Sequence, residues 1–216
     1  MIAENNIAIT EEMLISLREK LKTQMSGFRL AHTLGVEEMA IRIGEIYCPE
    51  KLNKLRAAAL LHDLTKELSP TAQKELFEKH GTTMSKEAEK SPPTQHALTA
   101  ALEIPVRYPE FADEEVILAV KCHTTGRVDM TLCEKIIYLS DYIDFTRTYS
   151  DCRVLRESFW SADFSKMSKE EREEHLDRVV LKSFELTIAD LEENNKYVSF
   201  ETVKARDALA KKLENK

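Results

Sequence analysis

The pair His62-Asp63 directly follows an apolar run of alanines and leucines at residues 57–61, and it restricts the folds open to this chain. An imidazole and a carboxylate buried among apolar side chains lose their hydration, so each needs a partner inside the protein. A metal cation suits both groups. Because consecutive helical residues point about 100° apart, the pair can reach two sides of one ion or two neighbouring ions. Only the carboxylate can bridge two ions, which makes Asp63 the expected bridging ligand.

The composition favours helices joined by short connections. Only five glycines and six prolines occur in 216 residues, whereas leucine, alanine, glutamate and lysine are plentiful. Apolar residues recur three or four positions apart, the spacing of amphipathic helices. We therefore expect an all-α fold. The length lies near the upper end of the ~100–200 residue range for one domain, so one domain is the default.

Cap residues and apolar stripes predict the positions of the helices. Residues 151–167 carry no clear stripe and are read as an irregular aromatic segment. The predicted helices run from Thr10 to Leu21, over about 30–47, over about 52–64 with His62 and Asp63 on the helix, from Ser69 to Gly81, from about Thr94, from 113–115 to Gly126, from the capping box at Thr131, and from the capping box at Ser168.

Charge and cysteine content exclude some functions. A formal net charge of −7 argues against a general binder of nucleic acid polymers, which would need a basic face. The four cysteines form no C-x-x-C pair, as expected for reduced thiols in the cytosol.

Residues 1–10 lack the features of a secretory signal, and no apolar stretch approaches the ~18 residues of a membrane span. We expect a soluble cytoplasmic protein without a membrane partner.

Further histidines and an aspartate occur at core-facing positions or ends of the predicted helices. A single histidine is more often a core or surface residue than a ligand, but this set joins the adjacent pair and together predicts a metal centre. Two other histidines serve as contrasts: His80 lies in a helix C-terminal turn, and His175 lies among acidic residues on a solvated face. The candidate metal ligands are His32, His62, Asp63, His96, His123 and Asp141.

These residues carry a resemblance to a known family. Arg29-x-x-His32, His62-Asp63, His96, residues 123–127 and Asp141 resemble the HD-domain metallophosphohydrolases, and most closely the YqeK branch of symmetrical diadenosine tetraphosphate hydrolases. Residues 31–36 and 60–66 carry the match, together with 123–127 followed by 134–136 and 141–143. The resemblance implies a single HD-type helical domain over residues 1–216, with its core at about 12–150 and C-terminal helices at about 168–215 packing on it.

The resemblance also implies a metal arrangement. His32, His62, Asp63 and Asp141 would surround one ion, and His96 with His123 would complete a second site that shares Asp63. Iron is the metal that the resemblance implies for these two divalent sites. Nitrogen and oxygen donors without thiolate also suit manganese, cobalt, nickel or zinc, so the residues alone do not choose the metal.

The implied activity is symmetrical cleavage of diadenosine tetraphosphate into two ADP molecules by attack of a metal-bound hydroxide. Asp63 and Lys66 are the expected catalytic residues. Because the substrate is strongly anionic and the chain is acidic, local cations and hydroxyl groups must hold it. The candidates for substrate binding are Arg29, Lys66, Thr124, Thr125, Arg127 and Arg147.

Alternatives remain open at this point. The chain can be an HD phosphohydrolase of another nucleotide, such as a cyclic dinucleotide, an alarmone or a nucleoside phosphate; a di-iron oxygenase; or a non-catalytic nucleotide-binding protein. The resemblance suggests a homodimer, and the helix from Ser168 can be either its interface or a cover for the core. Ala97, residues 144–145 and residues 151–175 depart from the branch pattern, which leaves substrate selectivity and the pocket wall undecided.

Overall fold

Helices account for all of the regular secondary structure in residues 8–215, which are the residues that the computed structural model describes. Within that range there are eleven α-helices, a few short 3-10 turns and no strand, so the expectation of an all-α fold is confirmed. The α-helices are α1 (Glu11–Leu21), α2 (Gly27–Tyr47), α3 (Leu52–Leu61), α4 (Pro70–Lys79), α5 (Lys86–Lys90), α6 (Gln95–Arg107), α7 (Glu114–Cys122), α8 (Leu132–Ile143), α9 (Ser150–Trp160), α10 (Lys169–Glu193) and α11 (Phe200–Glu214).

The sequence predicts neither a secretory signal in residues 1–10 nor a membrane-spanning helix. Residues 1–7, most of the first of these segments, lie outside the described residues, as does residue 216. Among the helices of the described part, none combines the length and the apolar character needed to cross a membrane.

The capping boxes form as expected and fix the start of two helices. The Thr131 hydroxyl accepts the Glu134 backbone N–H at 3.3 Å, and the Glu134 carboxylate accepts the Thr131 N–H at 2.5 Å. Ser168 and Glu171 make the same pair at the start of α10, at 3.1 and 2.7 Å. Each cap satisfies a backbone donor that has no partner within the helix and stabilises the helix by about 1 kcal/mol.

The structure corrects three of the predicted elements. Helix α7 ends at Cys122, so His123 lies directly after it and not on a helix that continues to Gly126. Helix α3 ends at Leu61, so His62 caps it and Asp63 lies in the following turn, not on the helix. There the backbone tightens, because Leu64 N–H bonds to the Leu61 carbonyl at 3.2 Å. The segment read as irregular is largely helix α9. Its buried residues, Cys152, Leu155 and Phe159, are spaced by three and four positions as on one helix face.

Helices α2 and α3 form the pair that positions the site, and they run antiparallel. At one end Gly44 of α2 lies so close to α3 that a Cβ there would approach Leu55 Cδ1 to 2.6 Å and Leu52 Cδ2 to 2.8 Å. At the other end His32 of α2 reaches His62, with ring centroids 5.4 Å apart. Helices α7 and α8 pack against α3, and α6 packs against α7, which surrounds the carboxyl end of α3 with helices.

The C-terminal helices are tied to the rest by a buried carboxylate. Asp177 of α10 lies 2.5 Å from Lys135 Nζ of α8 and 2.7 Å from Lys212 Nζ of α11. Tyr47 at the end of α2 also donates its hydroxyl to the Arg172 carbonyl at 2.9 Å. These bonds hold α10 and α11 against α8, which carries Asp141, and α2, which carries His32.

Candidate metal centre

Six side chains from five segments of the chain converge at one buried point. His32 comes from α2, and His62 and Asp63 come from the turn after α3. The other three are His96 in the first turn of α6, His123 directly after α7, and Asp141 in α8. The four histidines and Asp63 are buried, and Asp141 is half-buried. All six expected ligands are therefore brought together.

The two oxygens of Asp63 face different pairs of histidines. Its Oδ1 lies 3.0 Å from His96 Nε2 and 3.9 Å from His123 Nε2. Its Oδ2 lies 3.4 Å from His62 Nε2 and 3.6 Å from His32 Nε2. A carboxylate that bridges two ions needs this division, with one oxygen directed at each ion.

The remaining donors crowd around the same point. Asp141 Oδ1 lies 3.0 Å from His32 Nε2 and 3.8 Å from His62 Nε2. The Nε2 atoms of His32 and His62 are 3.4 Å apart, and those of His96 and His123 are 3.1 Å apart. Two triads have donor atoms within 4.8 Å of one another: His32, His62 and Asp141, and His62, Asp63 and His123.

Helix ends orient two of the histidines. His62 Nδ1 lies 2.6 Å from the Ala59 carbonyl, and His123 Nδ1 lies 2.6 Å from the Val120 carbonyl. Carbonyl groups at a helix end lack a partner within the helix, so each accepts an N–H from a histidine three residues later. The proton on Nδ1 leaves the Nε2 lone pair directed at the centre, as metal ligation requires.

Asp144 orients His32, and the sequence analysis did not identify this role. Its Oδ2 lies 3.3 Å from His32 Nδ1, and its Oδ1 accepts the backbone N–H of Thr146 at 2.8 Å. The close approach depends on Gly35, since a Cβ there would lie 2.9 Å from Asp144 Oδ1. The available signal was an aspartate three residues after Asp141, at the end of a largely apolar helix.

The protonation states around Asp63 suit metal binding, because metals bind neutral imidazoles and ionised carboxylates. Burial lowers the pKa of His123 to about 3, and His62 and His96 act in the same direction. Burial also lowers the pKa of His96. For Asp63, burial alone would raise the pKa, but His62 and His96 outweigh it and hold that pKa well below its usual range.

The surroundings of His32, next to Asp141 and Asp144, favour a positive charge. Burial disfavours its imidazolium, yet Asp141 and Asp144 outweigh this effect and raise the pKa of His32 to about 9. Burial likewise opposes ionisation of Asp141, but Arg147 and His32 hold its pKa well below the usual range. A metal ion held by these residues would replace that proton. The donor set of four imidazoles and two carboxylates fits two divalent ions.

Three cationic side chains surround the ligands. Arg29 pairs with Asp63, and Arg147 Nη2 lies 2.6 Å from Asp141 Oδ1. Lys66 Nζ lies 3.3 Å from His96 Nδ1, and burial lowers the pKa of this lysine. Within the described part of the chain, the buried Nε of Arg29 lacks a hydrogen-bond acceptor, whereas that of Arg147 lies 3.6 Å from Asp144 Oδ2. The unpaired guanidinium donor of Arg29, beside a candidate metal site, suits an anionic ligand.

The other residues predicted to bind substrate, Thr124, Thr125 and Arg127, follow His123 in the chain and differ in where their side chains lie. Thr124 lines a cleft together with His123 and Asp141, but Thr125 donates its hydroxyl to the Gly126 carbonyl at 3.0 Å and lines an adjoining pocket. Arg127 makes two bonds to Glu134, at 2.7 and 2.8 Å, and lines a separate pocket against α11. Gly126 has a φ of 64°, so the chain turns between the threonines and Arg127. The structure does not bring Thr125 or Arg127 to the ligands.

The two contrast histidines lie apart from the centre. His80 Nε2 pairs with Glu103 Oε1 at 2.6 Å. His175 is half-buried rather than solvated, because α9 covers it: its Nε2 donates to the Phe159 carbonyl at 3.0 Å, and its ring packs on Phe159.

A cleft of about 430 Å³ opens onto the ligands His123 and Asp141. Its walls come from the segment before α6, from α8 and the loop after it, and from the end of α10 with the start of α11. The other lining residues are Lys90, Ser91, Pro92, Pro93, Thr94, Thr124, Tyr138, Tyr142, Arg147, Thr187, Leu191, Lys196, Tyr197, Ser199 and Thr202.

Comparison with known proteins supports the resemblance. The HD domain family matches residues 29–146, which contain all six candidate ligands. The symmetrical bis(5'-nucleosyl)-tetraphosphatase of Bacillus subtilis strain 168 is 31% identical over 129 residues, covering 60% of this chain and 68% of that protein. The protein of the same name from Halalkalibacterium halodurans is 30% identical over 141 residues, covering 63% of this chain and 71% of that protein.

A solved structure extends the similarity over most of the chain. It is a Clostridium acetobutylicum protein described as a predicted HD superfamily hydrolase involved in NAD metabolism. The two chains are 28% identical and superpose with a TM-score of 0.77, covering 92% of this chain and 97% of the other. The shared architecture therefore includes the helices that follow residue 146.

Proposed function

Since the chain belongs to the HD domain family, we propose that it is a metal-dependent phosphohydrolase that cleaves diadenosine tetraphosphate symmetrically into two ADP molecules. We infer the substrate and the position of cleavage from the relatives, which are named symmetrical tetraphosphatases. The observation that carries the proposal is the placement of Asp63, whose two oxygens face separate pairs of histidines.

Two divalent ions, which we propose to be iron, would be held by the six ligands. His32, His62 and Asp141 would hold one ion, His96 and His123 the other, and Asp63 would contact both. When bound, such a pair of ions lowers the pKa of a water and offsets the charge on phosphate oxygens.

The chain's own cations position the substrate in this proposal. Lys66, Arg29 and Arg147 surround the ligands, and their positive charges attract the tetraphosphate although the protein is net acidic. The buried Nε–H of Arg29 has no acceptor in the described part of the chain and would gain one from a phosphate oxygen. The Thr124 hydroxyl, on the cleft wall, is a further donor. We assign no substrate contact to Thr125 or Arg127, because neither reaches the ligands.

Product analysis tests the reaction. The anaerobically purified protein is incubated with ferrous or manganous ion and diadenosine tetraphosphate, and the products are separated by chromatography. ADP as the sole product, lost in Asp63→Ala and retained in His80→Ala, supports the proposal. ATP with AMP would contradict central cleavage. Turnover of a cyclic dinucleotide or an alarmone in preference to diadenosine tetraphosphate would assign the centre to another nucleotide.

Three further expectations belong to the same proposal. We take the chain to act as one HD-type domain, with the C-terminal helices packed on its core. All four cysteines are buried free thiols, which suits a reducing cytoplasm. The homodimer suggested by the resemblance is tested by light scattering of the purified protein.

A further inference from the structure

The cleft has two chemically different ends. At its floor lie the metal ligands His123 and Asp141, with Arg147 beside them. At its far wall lie Leu191 near the end of α10 and Tyr197 in the connection to α11. A volume of about 430 Å³ falls within the range of ~300–1,000 Å³ that is usual for small-molecule sites. The cleft therefore suits a ligand with an anionic end and an apolar end.

The far wall is held in place by one carboxylate. Glu87 Oε2 accepts the Tyr197 hydroxyl at 2.6 Å, and its Oε1 accepts the Ser199 hydroxyl at 3.1 Å and the Phe200 backbone N–H at 2.5 Å. The Phe200 N–H opens α11, where a negative charge is favourable. These three bonds fix the tyrosine ring at its hydroxyl end while 38% of the residue stays exposed.

Lysines stand at the edge of this wall. Lys90 Nζ lies 5.4 Å from the centroid of the Tyr197 ring, and Lys196 precedes the tyrosine in the chain. Both are exposed, so their charges add to that of Arg147 in attracting an anion into the cleft. Inorganic phosphate or pyrophosphate would leave the apolar wall without a partner, whereas a nucleotide would use both ends.

We propose that residues 187–202 form a nucleoside-binding wall, in which Leu191 and Tyr197 contact one nucleoside of the substrate and Glu87 is a positioning residue. This inference rests on the proposed function for the identity of the substrate. The wall lies outside residues 29–146, so the segment that follows the matched HD region supplies recognition of the nucleoside.

Binding of two probes to the metal-loaded, full-length protein tests the wall. Calorimetry measures the Kd for ADP and for inorganic pyrophosphate. In Tyr197→Ala the Kd for ADP should rise about tenfold, the order of one lost base–aromatic contact. Leu191→Ala should raise it by a smaller factor. The Kd for pyrophosphate should stay within about twofold of the original value, because pyrophosphate does not reach the wall.

Tyr149→Ala is the matched control, since this tyrosine is 70% exposed and lies outside the cleft lining. It should change neither Kd. Equal weakening of ADP and pyrophosphate by Tyr197→Ala would overturn the wall, as would unchanged ADP binding in both wall variants. The two proposals fail separately: wall-dependent ADP binding without hydrolysis of diadenosine tetraphosphate removes the proposed reaction alone.

Discussion

Helix α2 carries two buried charged side chains five residues apart, and the protein surrounds them in opposite ways. Glu37 is bound by Arg18 Nε at 2.8 Å and by Arg56 Nε at 3.1 Å, so its charge is answered by side chains of the same chain. His32 instead faces another imidazole at 3.4 Å and three carboxylates, those of Asp63, Asp141 and Asp144. The first cluster is complete without a ligand. The second brings four imidazoles close to three carboxylates, an arrangement that a bound cation would stabilise.

The comparison distinguishes buried charges that stabilise the fold from buried charges that form a binding site. A buried ion pair needs each charge matched by an opposite one, as Glu37 is matched by Arg18 and Arg56. At the metal centre, four Nε2 atoms face one another and two carboxylates. A cluster whose acceptors point at one another is recognisable as a binding site before any ligand is known.

The largest expected effect comes from removing the shared ligand. Asp63→Asn should lower the rate of ADP formation by on the order of 10³-fold or more, because the ions supply several kcal/mol of transition-state stabilisation. Metal content, measured by mass spectrometry of the dialysed protein, should fall below that of the unchanged protein. Full metal content with full activity would show that Asp63 does not bridge the site.

The Glu37 cluster should respond in the opposite sense. Glu37→Ala leaves the charges of Arg18 and Arg56 without their buried partner, so the free energy of unfolding should fall by about 3–5 kcal/mol in urea titrations. Metal content per folded molecule should not change. A loss of metal with little loss of stability would reverse the assignment of the two clusters.

A weaker effect is expected at the residue that orients His32. Asp144→Asn removes the carboxylate charge beside His32 Nδ1, and metal affinity should fall about 10- to 100-fold. Competition with a chelator measures the affinity. Asp163→Asn, at a half-exposed aspartate paired with Lys166, is the control and should leave the affinity unchanged.

The smallest effect on stability is expected at the ion pair between His80 and Glu103. Burial would raise the pKa of Glu103, but His80 and Lys79 outweigh it and lower that pKa. The stabilisation from the ionised carboxylate is therefore present above pH 4.5 and is lost as the pH falls through the lower folded-state pKa. Glu103→Gln should cost on the order of 1–3 kcal/mol at pH 7.

Thermal unfolding from pH 7 down to pH 3 measures this dependence. The gap between the unchanged protein and Glu103→Gln should narrow as the pH falls, and added divalent metal should not alter it. A gap that is constant with pH would mean that the Glu103 charge contributes nothing to stability.

Sequence reasoning succeeded where the determinants are local. The capping boxes at Thr131 and Ser168 and the apolar stripe of α10 depend on neighbouring residues, and they set the observed helix starts. The ligand types were also readable, because a histidine and an aspartate after an apolar run need a partner. The prediction failed at the end of α3, where neither a glycine nor a proline marks the turn at His62.

The remaining features depend on tertiary contacts. Asp144 acts through a gap created by Gly35, more than a hundred residues earlier. The far wall of the cleft is positioned by Glu87, which bonds to residues beyond position 196. Arg127 looks available in the sequence, but its guanidinium is already bound to Glu134. No local pattern distinguishes a bound arginine from an available one.

The scattered origin of the six ligands links metal binding to the stability of the whole chain. They span residues 32–141 and come from five segments, so an unfolded chain cannot assemble the site. An ion that binds only the folded state, at a free concentration 100 times its Kd, adds about 2.7 kcal/mol to the free energy of unfolding. With the six residues as ligands, the melting temperature of this protein would rise with the concentration of available metal.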